Sequence, residues 1–118
     1  MEALVSFARD QGITGAEVSG IGAFGSATVG YYRLKQKKYH RTSIPEETEV
    51  LSLLGNLSMT EAGPRAHLHA TLATEGSCVG GHLFEGTVGA TLEVVVRETG
   101  AELRRFEDEE IGLPLLDL

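Results

Sequence analysis

Apolar and polar residues alternate through most of this chain with a period of two, the spacing of a half-buried β-strand. The clearest run is Ala66–Leu72. It sets Leu68, Ala70 and Leu72 on one face and His67, His69 and Thr71 on the other. The first face belongs on a core, which turns the histidines outward. Thr48–Ser58 alternates in the same way, with Val50, Ser52, Leu54 and Asn56 opposed to Glu49, Leu51, Leu53 and Leu57. In Val88–Glu98, Thr91, Glu93 and Val95 oppose Leu92, Val94 and Val96. Helical spacing occurs at the start, where Leu4, Phe7 and Ala8 recur within Met1–Gly12 and Gly12 suits the C-terminal cap.

Turn residues divide the rest. Glycines 20, 22, 25 and 30 break the stretch 15–32 into two predicted strands around Gly25. The Gly20-Ile21-Gly22 spacing does not make a dinucleotide-binding turn, because no amphipathic helix follows it. Tyr39–Ile44 reads as a strand carrying His40, a surface residue among basic and polar neighbours. Turns follow at Pro45-Glu46-Glu47, Thr60–Pro64 and Glu75-Gly76-Ser77. Val79–Leu83 is a returning strand, and Glu102–Phe106 a last short one. Glu107–Glu110 is an acidic run expected in a solvated loop. The apolar end, Ile111–Leu118, needs cover across its own sheet or against another subunit. One helix and about seven strands predict the α+β class, a mostly antiparallel sheet with the N-terminal helix on one side. A length of 118 residues favours one domain over 1–118.

The histidine face carries the candidate chemistry. His82 sits in Gly80-Gly81-His82-Leu83, on the strand predicted to return beside His67 and His69. Paired glycines mark a bulge or a close backbone approach, which can re-aim a side chain. Two imidazoles from one strand and a third from its neighbour form a geometry able to hold zinc or another divalent ion. The plain alternative is three hydrogen-bonded polar histidines. Only neutral imidazoles ligate, so affinity is expected to fall below about pH 6. Three histidines leave a fourth position for water, whose pKa on zinc drops to about 7. An enzyme would also need a general base, and strand parity nominates Glu93 and Glu49 as catalytic candidates, though surface glutamates fit as well. Cys78, four residues before His82, would close the site if it ligated; a small half-buried thiol is the simpler reading. Thr71, Asn56 and Gly81 are candidates to steady the ligands or touch a bound molecule.

Charge narrows the partners. Seventeen acidic residues against ten basic ones give a net charge of −7, which opposes nucleic-acid binding. The basic run Arg33–Lys38 reads as a solvated loop or a protected strand edge. A single cysteine excludes an internal disulfide and fits a reducing cytoplasm. The sequence shows neither a signal peptide nor an apolar run of about 18 residues, so no membrane span is expected.

Four blocks together resemble the PPC (plants and prokaryotes conserved) domain, over residues 5–98. They are Ser19–Phe24 with Gly30-Tyr31-Tyr32; Glu49–Ser58; His67-Leu68-His69-Ala70; and Gly80–Leu83 with Thr91–Val94. In plants this domain forms the C-terminal part of AT-hook nuclear proteins, while in prokaryotes it stands alone and often carries a DNA-binding label. The resemblance implies a compact α+β fold, a homotrimer, and a zinc-type ion on His67, His69 and His82. The chain has no Arg-Gly-Arg-Pro hook, so the hook's role does not carry over. Family members begin with an extra strand before the helix. Here Met1 falls at the helix itself, which reads as a missing edge strand. From these features a trimeric metal-binding module for a small molecule or protein partner is expected, with a zinc enzyme as alternative and DNA binding as a further one.

Overall fold

The computed structural model describes residues 1–117. Helix α1 (Glu2–Gln11) precedes seven strands: β1 (Gly15–Arg33), β2 (Lys38–Ile44), β3 (Thr48–Thr60), β4 (Gly63–Thr74), β5 (Ser77–Glu98), β6 (Arg105–Asp108) and β7 (Leu113–Leu116). All the ladders are antiparallel. This is the α+β class that the alternation predicts.

Two long strands organise the sheet. β1 pairs with β3 and then β2 along one edge and with β5 along the other. β5 pairs first with β4, from Ser77 to His82, and then runs on along β1 to Glu98. The cycle β1-β3-β4-β5 therefore closes on itself, leaving β2 as an extension from β1. Closure removes the open edges of these four strands and leaves the outer edge of β2.

The predicted break at Gly25 does not occur, since 15–33 is one continuous strand. Its ladder with β5 shifts register between Gly22 and Phe24, between Phe24 and Ser26, and between Thr28 and Val29. Such bulges let a strand bend round a barrel without ending. At Gly22, φ is 150° and an added Cβ would run into the Thr91 carbonyl oxygen, so the bend needs glycine there. Gly20 and Gly22 of β1 thus serve close strand approach. Likewise 77–98 is one strand where the sequence suggests two.

β3 also departs from the simple alternation. A register shift lies between Val50 and Ser52. Val50, Leu53 and Leu57 all face the core, while Glu49, Leu51 and Leu54 are exposed. One extra residue inverts parity from that point on, which unaided alternation does not reveal.

The barrel core holds Val18, Phe24, Val29, Leu53, Leu57, Leu68 and Leu72, each at most 2% exposed. Each such side chain contributes about 1.5–3 kcal/mol by burial. α1 lies against β4 and adds Ala8, with Leu4 and Val5 packed beside it. The helix ends at Gly12 in the left-handed conformation, as predicted. On β4, Leu68, Ala70 and Leu72 are buried, so the opposite face looks outward as read from the sequence.

The C-terminal segment folds back on its own chain, which leaves Leu113–Leu116 half-buried; Leu118 of the predicted apolar end lies outside the described residues. β6 and β7 form a two-stranded ribbon turned at Asp108–Gly112, where Asp108 Oδ1 accepts the Ile111 N–H at 2.8 Å. The predicted acidic loop is therefore half strand and half turn. Several hydrogen bonds fasten this segment to the barrel. Tyr32 Oη donates to the Ile111 carbonyl at 2.7 Å, Lys37 Nζ to the Glu109 carbonyl at 2.9 Å, and Met59 N–H to the Leu103 carbonyl at 2.7 Å. Among the described residues no helix is long and apolar enough to cross a membrane.

Candidate metal centre

The three histidines meet where β4 and β5 run side by side. His67 and His69 share the outer face of β4, and His82 lies directly opposite His69 on β5. On its other side His82 is opposite Gly30 of β1. Ring centroids are 5.4 Å apart for His67 and His69, 5.0 Å for His67 and His82, and 5.6 Å for His69 and His82. One nitrogen from each ring lies within 4.8 Å of the others. Nitrogens about 2.1 Å from a tetrahedral zinc ion stand about 3.4 Å apart, so a modest inward turn of the rings would bring them to ligating distance.

Gly81 aims His82. Its φ is 150°, and an added Cβ would stand 2.5 Å from the Gly30 carbonyl oxygen. The predicted close approach is present here, and Gly81 acts through its backbone.

Arg105, on β6, holds His67 in place. Its Nη2 lies 3.0 Å from His67 Nδ1 and donates to Asn56 Oδ1 at 2.9 Å. Its Nε donates to Ser58 Oγ at 2.9 Å, and Nη1 to the Pro114 carbonyl at 2.8 Å. A guanidinium only donates, so His67 Nδ1 is the acceptor in this arrangement and the neutral ring carries its proton on Nε2; ligation of an ion by His67 therefore requires Arg105 Nη2 to give up this contact. Asn56, opposite His67 on β3, thus supports the histidine through the arginine.

Aromatic rings wall the other side. The His82 ring is 5.1 Å from Tyr39 and 4.8 Å from Phe84. His67 and His82, with Tyr39, Phe84, Arg65, Arg105 and the β7 ribbon, enclose a pocket of about 120 Å³.

This setting keeps two imidazoles neutral. Burial, and then the Arg105 guanidinium, push the pKa of His67 down to about 4. Burial, and then neighbouring His69, push His82 down to about 4 as well. For these two rings, proton competition sets in well below the pH of 6 expected from free histidine. His82 Nδ1 is buried with no hydrogen-bond partner. A buried ring nitrogen left without a partner is costly, and in the tautomer that leaves Nδ1 unprotonated a cation placed there satisfies it. Neutral rings, converging nitrogens and an orphaned nitrogen all fit a divalent ion.

The other candidates fall elsewhere. Glu93 is exposed on β5 opposite Ile21, with β3 and β1 lying between that part of β5 and His69. Glu49 is opposite Ala73, four residues along β4 from His69, about 13 Å at strand spacing. Neither carboxylate can serve as base to these histidines within one copy of the chain. Cys78 is exposed opposite Ala73, at the far end of the hairpin, and is not in the imidazole group. Thr71 is exposed beyond His69, opposite Gly80 and Ser52. His40 is a surface residue, as read.

Sequence reading missed Arg105, Arg65, Tyr39 and Phe84. Parity could have supplied two of them, because Arg65 shares the face of His67 and Phe84 that of His82. Nothing local marks Arg105, whose place depends on how the ribbon docks.

Residues 1–100 match the family model described as the Plants and Prokaryotes Conserved (PCC) domain, the domain abbreviated PPC above. Among solved structures, the chain is similar to a metal-containing protein from Archaeoglobus fulgidus, with 38% identity and a TM-score of 0.90. That match covers 99% of this chain and 84% of the other. It is also similar to a plant- and prokaryote-conserved protein from Pyrococcus horikoshii, with 31% identity, a TM-score of 0.90, and coverage of 99% and 82%. A protein from Bacteroides thetaiotaomicron, provisionally named DNA-binding, matches at 30% identity with a TM-score of 0.92, covering 98% and 82%. Comparison with curated proteins finds no significant match. With a family model over residues 1–100 and a fold shared at this identity, the chain belongs to the Plants and Prokaryotes Conserved domain family.

Proposed function

We propose that this chain is a metal-binding module in which His67, His69 and His82 hold one divalent ion. The observation that carries the reading is the convergence of three imidazole nitrogens within 4.8 Å, from two paired strands. An all-imidazole set suits zinc, and the similar Archaeoglobus protein is described as metal-containing. Zinc titration of chelator-stripped protein by calorimetry tests it. One ion should bind per chain, and His69→Ala should weaken binding at least about tenfold. Equal binding by the variant would refute the reading.

A binding role fits the site better than hydrolysis. A zinc-bound water needs a base, and both glutamate candidates stand away from the pocket. Direct nucleic-acid binding is disfavoured by the net charge of −7. The DNA-binding name of the Bacteroides relative remains a statement about that protein.

The module works as a trimer in this reading, with an interface beside the metal. Its support is a row on the outer face: His69 is opposite Leu54, Leu54 opposite Ser19, and Ser19 opposite Val95. Leu54 and Val95 are 55% and 59% exposed, and nearby Ile21 is 59% exposed. Apolar side chains gathered on one face call for cover, and closed symmetry provides it without open-ended growth. A reducing cytoplasm is the setting that suits Cys78, a free and exposed thiol.

A further inference from the structure

Seventeen acidic residues surround this chain with negative charge, yet the histidine pocket is rimmed by arginines. Arg65 lines both the small pocket and a neighbouring cleft of about 600 Å³ that shares His82 and Phe84 with it. The Arg41 guanidinium carbon lies 3.9 Å from the centre of the Phe84 ring, itself 4.8 Å from His82. Arg41 reaches it across Gly30, which is opposite Arg41 on one side and His82 on the other. Arg105 commits four of its five N–H groups to Ser58, Pro114, Asn56 and His67.

Among the described residues neither Arg65 nor Arg41 has a carboxylate partner. Among the described residues the arginine ion pairs are Arg97 with Glu17 and Arg104 with Glu102. No acidic side chain lines the small pocket, and Glu2 on α1 is the one carboxylate lining the cleft. Among the described residues, Glu2 alone offers negative charge at this rim. A planar guanidinium fork matches carboxylate and phosphate oxygens, and phenyl rings give a bound molecule an apolar wall. The cleft's volume lies in the range of small-molecule sites. The overall negative field does not cancel this, because charges beyond about 8 Å are largely screened at physiological salt.

We propose that the site takes a small organic anion, its carboxylate or phosphate group held by Arg65, which lines both cavities, while Arg41, stacked on Phe84 at the edge of the site, adds positive charge beside it. This names the ligand class of the metal module and rests on that reading for the ion's place beside it, while the arginine contacts are measurable without metal.

The test uses calorimetric titration of chelator-stripped and zinc-loaded protein with benzoate, phenyl phosphate and neutral benzyl alcohol. Arg41→Gln, Arg65→Gln and the double variant are compared. Both side chains are exposed, so the variants should stay folded, Arg41→Gln losing only the stacking on Phe84. At least one anion should bind stripped protein tighter than about 10 mM, at least about tenfold better than benzyl alcohol. The double variant should lose about tenfold or more. The better of the two anions identifies the head group. Equal binding by the double variant, equal binding of the neutral compound, or no anion binding below about 10 mM would overturn the proposal. Arginine-dependent binding by a protein that takes no zinc would sink the metal reading alone. Zinc uptake without arginine dependence would sink this one alone.

Discussion

At the scale of single residues, the site depends on imidazoles that stay uncharged. His67 and His82 have pKa values of about 4 in the fold, against about 6.5 in an unfolded chain. Between these values the unfolded state binds more protons, so stability falls as pH drops from about 6.5 toward 4. Urea denaturation of metal-free protein should show a lower midpoint at pH 4.5 than at pH 7.5, and His67→Gln should reduce the difference. An unchanged midpoint would show that these rings are not held neutral. The histidines were legible in the sequence because period-two alternation puts His67 and His69 on one face. The glutamates were not excluded by that logic: parity gives the face of a residue, whereas register gives its position along the sheet. Glu93 and Glu49 are on the outer face as read, at the wrong places on it.

At the scale of elements, two features hold the centre. The first is the approach of β5 to β1 at Gly81. Gly81→Ala would place a methyl 2.5 Å from the Gly30 carbonyl oxygen and impose a φ of 150° on a residue with a Cβ. A cost of about 1–3 kcal/mol is expected, read as a lower melting temperature, together with loss of bound zinc. A melting curve matching the parent would mean that the bulge yields freely. The second is the β6–β7 ribbon, pinned by Arg105. Arg105→Met removes four hydrogen bonds and leaves Ser58, 1% exposed, without its donor. Destabilisation by about 2–3 kcal/mol is expected in urea titrations, since hydrogen bonds to a charged group are among the stronger ones. No change would show that the ribbon is held by its other contacts. The ribbon's strands were half legible. The apolar tail signalled a need for cover, but the long-range docking that brings Arg105 to His67 leaves no local mark. The bulge in β3 was illegible for a related reason, because one inserted residue inverts parity without altering composition.

At the scale of the whole molecule, the fold class followed from alternation and turn residues, while barrel closure did not. Closure requires β1 and β5 each to serve two partners, and only strand length and bulges permit that. The apolar row beside His69 makes assembly testable. Leu54→Asp with Val95→Asp should shift light scattering from three times 12.6 kDa toward the monomer mass, because like charges would be buried at the interface. A folded wild-type protein already at monomer mass would contradict the trimer. The central claim remains that three histidines from two paired strands hold one ion. Elemental analysis of purified wild-type protein, beside His67→Ala, His69→Ala and His82→Ala, tests it most directly. About one zinc or similar divalent ion per chain in the wild type, falling several-fold in each folded variant, is the result predicted. A metal content unchanged by the three substitutions, or a metal-free wild type from metal-replete medium, would contradict it.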